Sequence, residues 1–571
     1  MTVTVERPSD ESVQAARWQR RDKATKAVVL TALVLGIGIL LYPVVMALAG
    51  SVLAGAPGSD DVAFSLQGWR AAYADERTYQ AWSDSLQIGG ATMAIAASLG
   101  TLLAWLVSRT NTPGRELFRT ALMLPLFIPT VLIGLAWTIG VGSVKRLTEN
   151  VPVLSSVIPE SYSFTGVIVT LSIVVVPLVY LLMLPAFDAM DSTLEDAAAA
   201  NGIPPWRTAL KITVPLAAPA FISAAILAGV RVLETLDIPL MIGRPAGVEV
   251  FATRMYQTLF NAPVPNYGKA TALGVSLAAV AAVLVLLGGV YVNRRSFVTV
   301  AGKGAASRLV NLGRWRFLAA GVCWLYLTIG SIVPVAIVVY GSFEGYVGIW
   351  DGSLTLEHWQ TAFEDEVFWR SIGNTLLLAF LGAVIMTLLG ASAAYGIVRS
   401  QSRMRFVLEG LTWVPWAIPG VLLALGTLWG YSFVGGLYGT RWLLLVAYVT
   451  IYTPLAVRQF SSAFLQLDPA LEYAGWVSGS SKLVTFWRLI RPLLLQTTLA
   501  SLLLSFVLCV REVSLSAFLV SPGNEVLGVR TLESWTRGGA SEAAVYGVCM
   551  LLISGVALAV YGLLSRRTRR F

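Results

Sequence analysis

Of the 571 residues, 56% are hydrophobic and 13% are charged, about half the charged share of ordinary soluble domains, which excludes a soluble globular protein. The net charge of +9 invites a nucleic-acid partner. The Lys and Arg residues, however, collect in alternate loops between apolar runs, which is the positive-inside pattern of a multi-pass membrane protein and not a nucleic-acid surface.

In chain order, residues 1–26 form a basic cytoplasmic segment with Arg17, Arg20, Arg21, Lys23 and Lys26. Runs of about 20 apolar residues cross ~30 Å of hydrocarbon. Spans are predicted near 27–50, 86–108, 119–141, 165–187, 214–243 and 269–292, and then near 317–341, 371–398, 407–434, 441–464, 493–520 and 543–565. The first run starts only after Lys26 and lacks a small-residue cleavage site, so it reads as a retained helix and not as a signal peptide. Residues 27–292 form one half, 293–316 a basic cytoplasmic linker, 317–565 a second half and 566–571 a cytoplasmic tail. The loop 342–370 carries six acids against Arg370 alone and faces outward, which with an even number of spans places both termini in the cytoplasm. The fold class is therefore all-α and polytopic, with about twelve transmembrane helices.

The halves are copies. "LMLPLFIPTVLIGLAWTIG" (122–140) matches "TWVPWAIPGVLLALGTLWG" (412–430), pairing Pro125 with Pro415, Pro129 with Pro419 and Gly140 with Gly430 at an offset of 290. Gly100/Gly390, Arg109/Arg399 and Asp84/Asn374 share that offset. Further on it becomes 277, pairing Glu195 with Glu472, Gly202 with Gly479 and Pro215 with Pro492. Order and orientation repeat, so the duplication is parallel, with a pseudo-two-fold axis along the membrane normal. The four prolines interrupt the third span of each half and are candidate kinks that move during opening, although proline is common in membrane helices in any case.

Between the fourth and fifth spans, "LEDAAAANGIPPW" places Glu195 and Asp196 in the first turn of a short helix predicted over 192–201, with Gly202 just past its end and Pro204 and Pro205 turning the chain. The stretch Asp196-Ala197-Ala198, three residues, Gly202, nine residues, then Ile212, Val214 and Pro215 resembles the EAA motif of permease subunits of ATP-binding cassette (ABC) importers. The second copy reads Tyr473-Ala474-Gly475, Gly479, Leu489 and Pro492, with Arg491 in the Leu position. It is degenerate at the acid, and Glu472 just before it is the candidate substitute.

The resemblance covers nearly the whole chain, and the fused pair of halves resembles the ferric-iron permeases of type I importers, with thiamine permeases on the same plan. It implies that both loops are coupling helices gripped by two copies of a cytoplasmic ABC ATPase. It also implies that an extracytoplasmic solute-binding protein delivers the solute at the bacterial cytoplasmic membrane. ATP and Mg²⁺ belong on the partner ATPases and no cofactor on this chain, because neither "AGKGAAS" nor "YGKATA" has the spacing of a phosphate-binding loop. No metal-ligand spacing surrounds Cys323, Cys509 or Cys549, and the single histidine, His358, has Gly68 as its counterpart, so neither a metal site nor a catalytic pair is expected.

Ionisable residues inside spans are costly and point to function by default. Arg231 and Glu234 lie three apart on one helical face that Asp237 is expected to continue, and the second half offers Arg511 and Glu512. Two readings stand side by side: these residues line the translocation path between the halves, or they brace the bundle. The iron reading has thiamine, polyamine and phosphonate import as alternatives within the class. Outside the class stand an ion-gradient-driven secondary transporter and a non-transporting scaffold.

Overall fold

The computed structural model describes residues 38, 40–150, 158–190, 197–198, 200–293, 309–348, 352–399 and 404–568. Among them nine helices are long and apolar enough to cross a membrane, and two further pairs are bent at a short break, giving up to eleven spans. Of the predicted first span only the end, α1 (Leu40–Gly50), is a described apolar helix. The linker and both termini fall largely outside the described residues.

Each half is organised on one long helix. In the first half α2 (Gln67–Tyr73) leads into α3 (Glu76–Arg109), where Asp75 caps the start by accepting from the Arg77 backbone N–H at 3.1 Å. In the second half α11 (Glu357–Glu364) leads into α12 (Glu366–Arg399), also 34 residues long, and Asp365 accepts from the Val367 N–H at 2.9 Å. At 1.5 Å per residue both helices are about 50 Å long, more than the bilayer core. Helix α3 packs along α6 (Phe164–Asp188) and α7 (Val214–Glu234), as α12 packs along α15 (Arg441–Gln466) and α17 (Leu495–Val510). The paired glycines sit at these crossings. A Cβ on Gly100 would meet Val179 Cβ at 2.7 Å, and one on Gly390 would meet Ala456 Cβ at 2.5 Å. Small residues let membrane helices approach closely where no hydrophobic effect drives them together.

The halves are interlocked rather than apposed. Helix α1 lies on α14 (Gly420–Tyr431) of the other half, where Tyr42 donates to the Gly430 carbonyl at 2.9 Å. Conversely α10 (Trp315–Gly341) lies on α5 (Thr130–Leu147), and a Cβ on Gly140 would meet Ile337 Cδ1 at 2.6 Å. The pair Gly140/Gly430 therefore marks where each half receives the other half's first helix. The last helices exchange in the same way: α9 (Tyr267–Asn293) packs on α14 and α19 (Ala540–Thr568) on α5. One apolar core runs through both halves and includes Leu132, Leu273, Leu423 and Val548.

Four predicted spans are corrected. The run 493–520 ends as a helix at Val510, with only a separate four-residue helix at Ser516–Leu519 beyond it. The run 119–141 is α4 (Arg115–Ala121), a short 3-10 turn at Leu124–Phe127 containing Pro125, and then α5, whose start follows Pro129. The run 407–434 is α13 (Met404–Ala417), with Pro415 inside it, followed after Pro419 by α14 at 97° to it. The run 214–243 ends as a helix at Glu234, where Thr235 turns extended, and a separate turn forms at Pro239–Gly243. Proline removes a backbone donor and clashes with the preceding turn, so a hydropathy window runs across a break that the backbone cannot.

Candidate functional site

At one end of the bundle the two loops singled out in the sequence take up matching structures. Ala197, Ala198 and Ala200 are helical and Gly202 follows at φ +71°, while Glu195 and Asp196 lie outside the described residues. In the second copy α16 (Ala470–Val477) ends before Gly479 at φ +83°. Both glycines hold the left-handed backbone that closes a helix, a region costly for any residue with a Cβ. Helical turns widened to π geometry follow at Ala209–Thr213 and Phe486–Ile490, just before Pro215 and Pro492.

The outer face of α16 is exposed and apolar at Leu471, Tyr473 and Val477, and Val477 is 88% exposed. Ala474 is also exposed, whereas Gly475 is buried with Thr485 Cγ2 2.7 Å from where its Cβ would stand. Glu472 is not on that face, which corrects its expected part as a substitute for the docking acid. Only 4% exposed, it accepts from Arg399 Nε at 2.7 Å and from Tyr395 at 3.0 Å, tying α16 to the end of α12. Arg399 also donates to the Leu467 carbonyl at 3.0 Å, as Arg109, itself buried, does to the Met190 carbonyl at 3.1 Å. Each long helix thus ends in an arginine that clamps the chain entering its loop.

The intramembrane charges gather at the far end of α7 and α17, at the seam between the halves. Arg231 pairs with Glu234, whose other oxygen accepts from the Gly420 N–H at 3.2 Å across the seam. Arg511 donates to the Leu126 carbonyl, also across the seam. Glu512 stays within its half, accepting from Tyr452 and from the Leu515 N–H at 2.8 Å. Asp237 does not continue the Arg231 face. It lies past the helix end, is 1% exposed and accepts from Thr130 and from the Ile238 N–H at 3.0 Å.

Leu126, Thr130 and Gly420 are the residues next to the proline breaks at Pro125, Pro129 and Pro419. Three of the four candidate kinks and three of the five candidate path residues therefore meet: Glu234 and Arg511 bond backbone groups beside Pro419 and Pro125, and Asp237 bonds the Thr130 hydroxyl beside Pro129, whereas Arg231 and Glu512 bond within their own halves. Every one of these ionic groups has a described partner, as burial in low dielectric demands.

A third arrangement, at the end of α3 and α12 remote from these two loops, is again duplicated. "GVEVFATR" (247–254) matches "GNEVLGVR" (523–530) at an offset of 276. Helix α8 (Phe251–Phe260) starts with the Phe251 N–H donating to Ser85 Oγ at 2.9 Å, and α18 (Leu527–Thr536) with the Leu527 N–H donating to Thr375 Oγ1 at 2.9 Å. Arg254 pairs with Asp75, and Arg530 lies 4.0 Å from Asp365. Lys269 joins Asp75 at 2.7 Å. Burial pushes the Asp75 carboxyl up, but bonds from Lys269, Arg254 and the Arg77 N–H outweigh it and bring it from 3.8 down to about 2. Burial likewise opposes ionisation of Glu525, and the Gly523 N–H with Arg370 wins, holding it below the usual carboxylate range.

Residues 96–297 and again 386–570 match the family described as "Binding-protein-dependent transport system inner membrane component". The chain belongs to this family. It carries the domain twice and is a fused, multi-pass ABC importer permease of all-α fold. Among curated relatives, the ferric transport system permease protein FbpB of Actinobacillus pleuropneumoniae is 24% identical over 82% of this chain and 69% of its own length. The Fe(3+)-transport system permease protein FbpB 2 of Haemophilus influenzae is 23% identical over 81% of this chain and 85% of its own length. The spermidine/putrescine permease PotC of Escherichia coli is 24% identical over 44% of this chain and 94% of its own length.

The sequence reading of this permease missed the clamps Arg109 and Arg399 as functional residues, although their pairing at the offset of 290 was visible. It also missed the Gly-x-Glu-Val…Arg repeat, whose offset of 276 is a one-residue slip from the 277 of the loops at Gly202 and Gly479. A search that fixes one offset for the whole second part of each half passes over it.

Proposed function

We propose that this permease imports ferric iron, delivered by an extracytoplasmic solute-binding protein and driven by two copies of a cytoplasmic ABC ATPase that hold ATP and Mg²⁺. The observation that carries the reading is the pair of loops closing on Gly202 and Gly479, held at the same end of the bundle by Arg109 and Arg399, with the exposed apolar face of α16 presented for a partner. That end is cytoplasmic, with both termini, by the distribution of basic residues. The choice of iron follows the relatives described as ferric permeases, which match across both halves. A polyamine is the second reading, favoured by PotC, which matches over 94% of its own length.

In this reading residues 27–292 and 317–565 are the two moving halves, and no covalent chemistry is assigned to this chain. Closure of the ATPases is passed through Ala197, Ala198, Gly202 and α16 to α3 and α12, and the seam at Arg231, Glu234, Asp237, Arg511 and Glu512 opens and closes around the proline breaks. Glu195 and Asp196 complete the first docking surface.

The test is uptake into proteoliposomes holding the permease with its neighbouring ATPase and binding protein, with radiolabelled ferric iron and spermidine offered separately. We expect ATP-dependent uptake of iron only, and its loss in the double variant Gly202→Asp, Gly479→Asp, which stays folded but no longer retains the ATPase. Uptake without ATP would return the gradient-driven transporter, and uptake of spermidine alone the polyamine reading.

A further inference from the structure

The duplicated arrangement remote from the coupling loops allows a controlled comparison, because the two copies share a skeleton and differ in charge. Common to both are Asp75/Asp365, Glu249/Glu525 and Arg254/Arg530. In the second copy the cations are matched by acids. Arg530 lies within 4.0 Å of Asp365, Glu533 and Glu542, Arg370 pairs with Glu525, and Arg537 lies 3.7 Å from Glu533.

In the first copy that balance is gone. Lys269 and Glu542 each stand two residues past the start of the last helix of their half, Val367 corresponds to Arg77 and Val520 to Arg244, while Glu533 and Arg537 correspond to the neutral Gln257 and Asn261. Arg254 and Lys269 share Asp75, with Glu249 3.6 Å from Arg254. Arg77 and Arg244 are exposed and form no ion pair with any described residue.

These cations converge. Arg77 at the start of α3, Arg244 in the turn before α8, Arg254 on α8 and Lys269 at the start of α9 line one cavity of about 640 Å³ with Glu249 and Asn261. The second copy builds the same skeleton with Val, Val and Glu at three of these positions, so the fold does not require the cations. Concentrating like charges around a concavity raises its potential and is unfavourable unless an anion enters. A concavity of this size suits a small molecule, and two unpaired guanidinium forks suit carboxylate or phosphate oxygens held bidentately.

We propose that this cavity is a binding site for a small multivalent oxyanion of the carboxylate or phosphate class, held by Arg77 and Arg244 with Arg254 and Lys269 behind them. The site belongs to the first half alone and does not depend on which solute the permease carries.

The experiment is calorimetric titration of citrate, and separately of inorganic phosphate, into the full chain in nanodiscs. The samples are wild type, Arg77→Ala with Arg244→Ala, the charge-keeping pair Arg77→Lys with Arg244→Lys, and Arg537→Ala as the control from the second copy. Citrate is expected to bind wild type and Arg537→Ala alike, to weaken at least ~10-fold in the alanine pair, as loss of charged hydrogen bonds requires, and to be largely restored in the lysine pair. Rising salt should weaken binding as well. Because both arginines are exposed and unpaired, the thermal midpoint should not move. The proposal is overturned if neither probe binds wild type at millimolar concentration, or if the alanine pair keeps wild-type affinity.

Discussion

Contacts inside a half and contacts between the halves follow different rules. Within each half a common skeleton is kept: Ser85 and Thr375 each start a short helix, Asp75 and Asp365 each face an arginine, and Arg109 and Arg399 each hold a carbonyl. Across the seam the helix packing still repeats, but the contacts of the charges do not. Glu234 reaches the Gly420 N–H while its counterpart Glu512 turns to Tyr452, and Arg511 reaches Leu126 while Arg231 pairs with Glu234. In a symmetric dimer every contact across the axis occurs twice, and a change on one side is forced on the other. A fused chain is free of that constraint, so its seam diverges while each half keeps the contacts on which its own folding depends.

The largest test of this contrast is Arg399→Ala. It strands the Glu472 carboxylate, which is 4% exposed, and loss of one partner of a buried pair costs about 3–5 kcal/mol. We expect a marked drop in thermal midpoint and loss of ATPase co-purification, with the double variant Arg399→Met, Glu472→Met recovering most of the stability. Next is Gly426→Ala at the seam. The added Cβ would overlap the Pro43 carbonyl oxygen and meet Ala47 Cβ at 2.7 Å, so a cost of about 1–3 kcal/mol is expected. The equivalent residue in the first half is already Ala136, so Ala136→Gly should move the midpoint less, and equal effects would show that the two seams are alike after all.

Glu234→Gln keeps an acceptor for the Gly420 N–H but removes the charge facing Arg231. Uptake should fall several-fold with about 1 kcal/mol of stability lost, a cost on the scale of one hydrogen bond, whereas Glu512→Gln, inside its half, should cost stability more than transport. The reverse order, read from uptake against thermal midpoint, would assign bracing to Glu234.

The smallest effect is with pH. Asp75 is depressed from 3.8 to about 2, so its contribution is complete above about pH 4 and is lost as the pH falls toward 2. The thermal midpoint should fall over that window, and less steeply in Asp75→Asn.

The apolar runs, the offsets of 290 and 277 and the spacing around Gly202 and Gly479 were enough to give an all-α membrane protein in two parallel copies with a pair of matching loops. Those features are local or repeated, and period, composition and self-similarity carry them directly. Three-dimensional packing alone decided that each half's first helix lies on the other half, that Glu472 turns inward, that Asp237 leaves the helical face of Arg231, and that Glu234, Asp237 and Arg511 meet the proline breaks. Each of these depends on which residues meet across some 60 to 390 positions of chain, and a one-dimensional pattern has no term for a meeting between segments that distant. The charge difference between the two remote ends was present in the sequence from the start, but it acquires a meaning only when the fold brings Arg77, Arg244, Arg254 and Lys269 around one cavity.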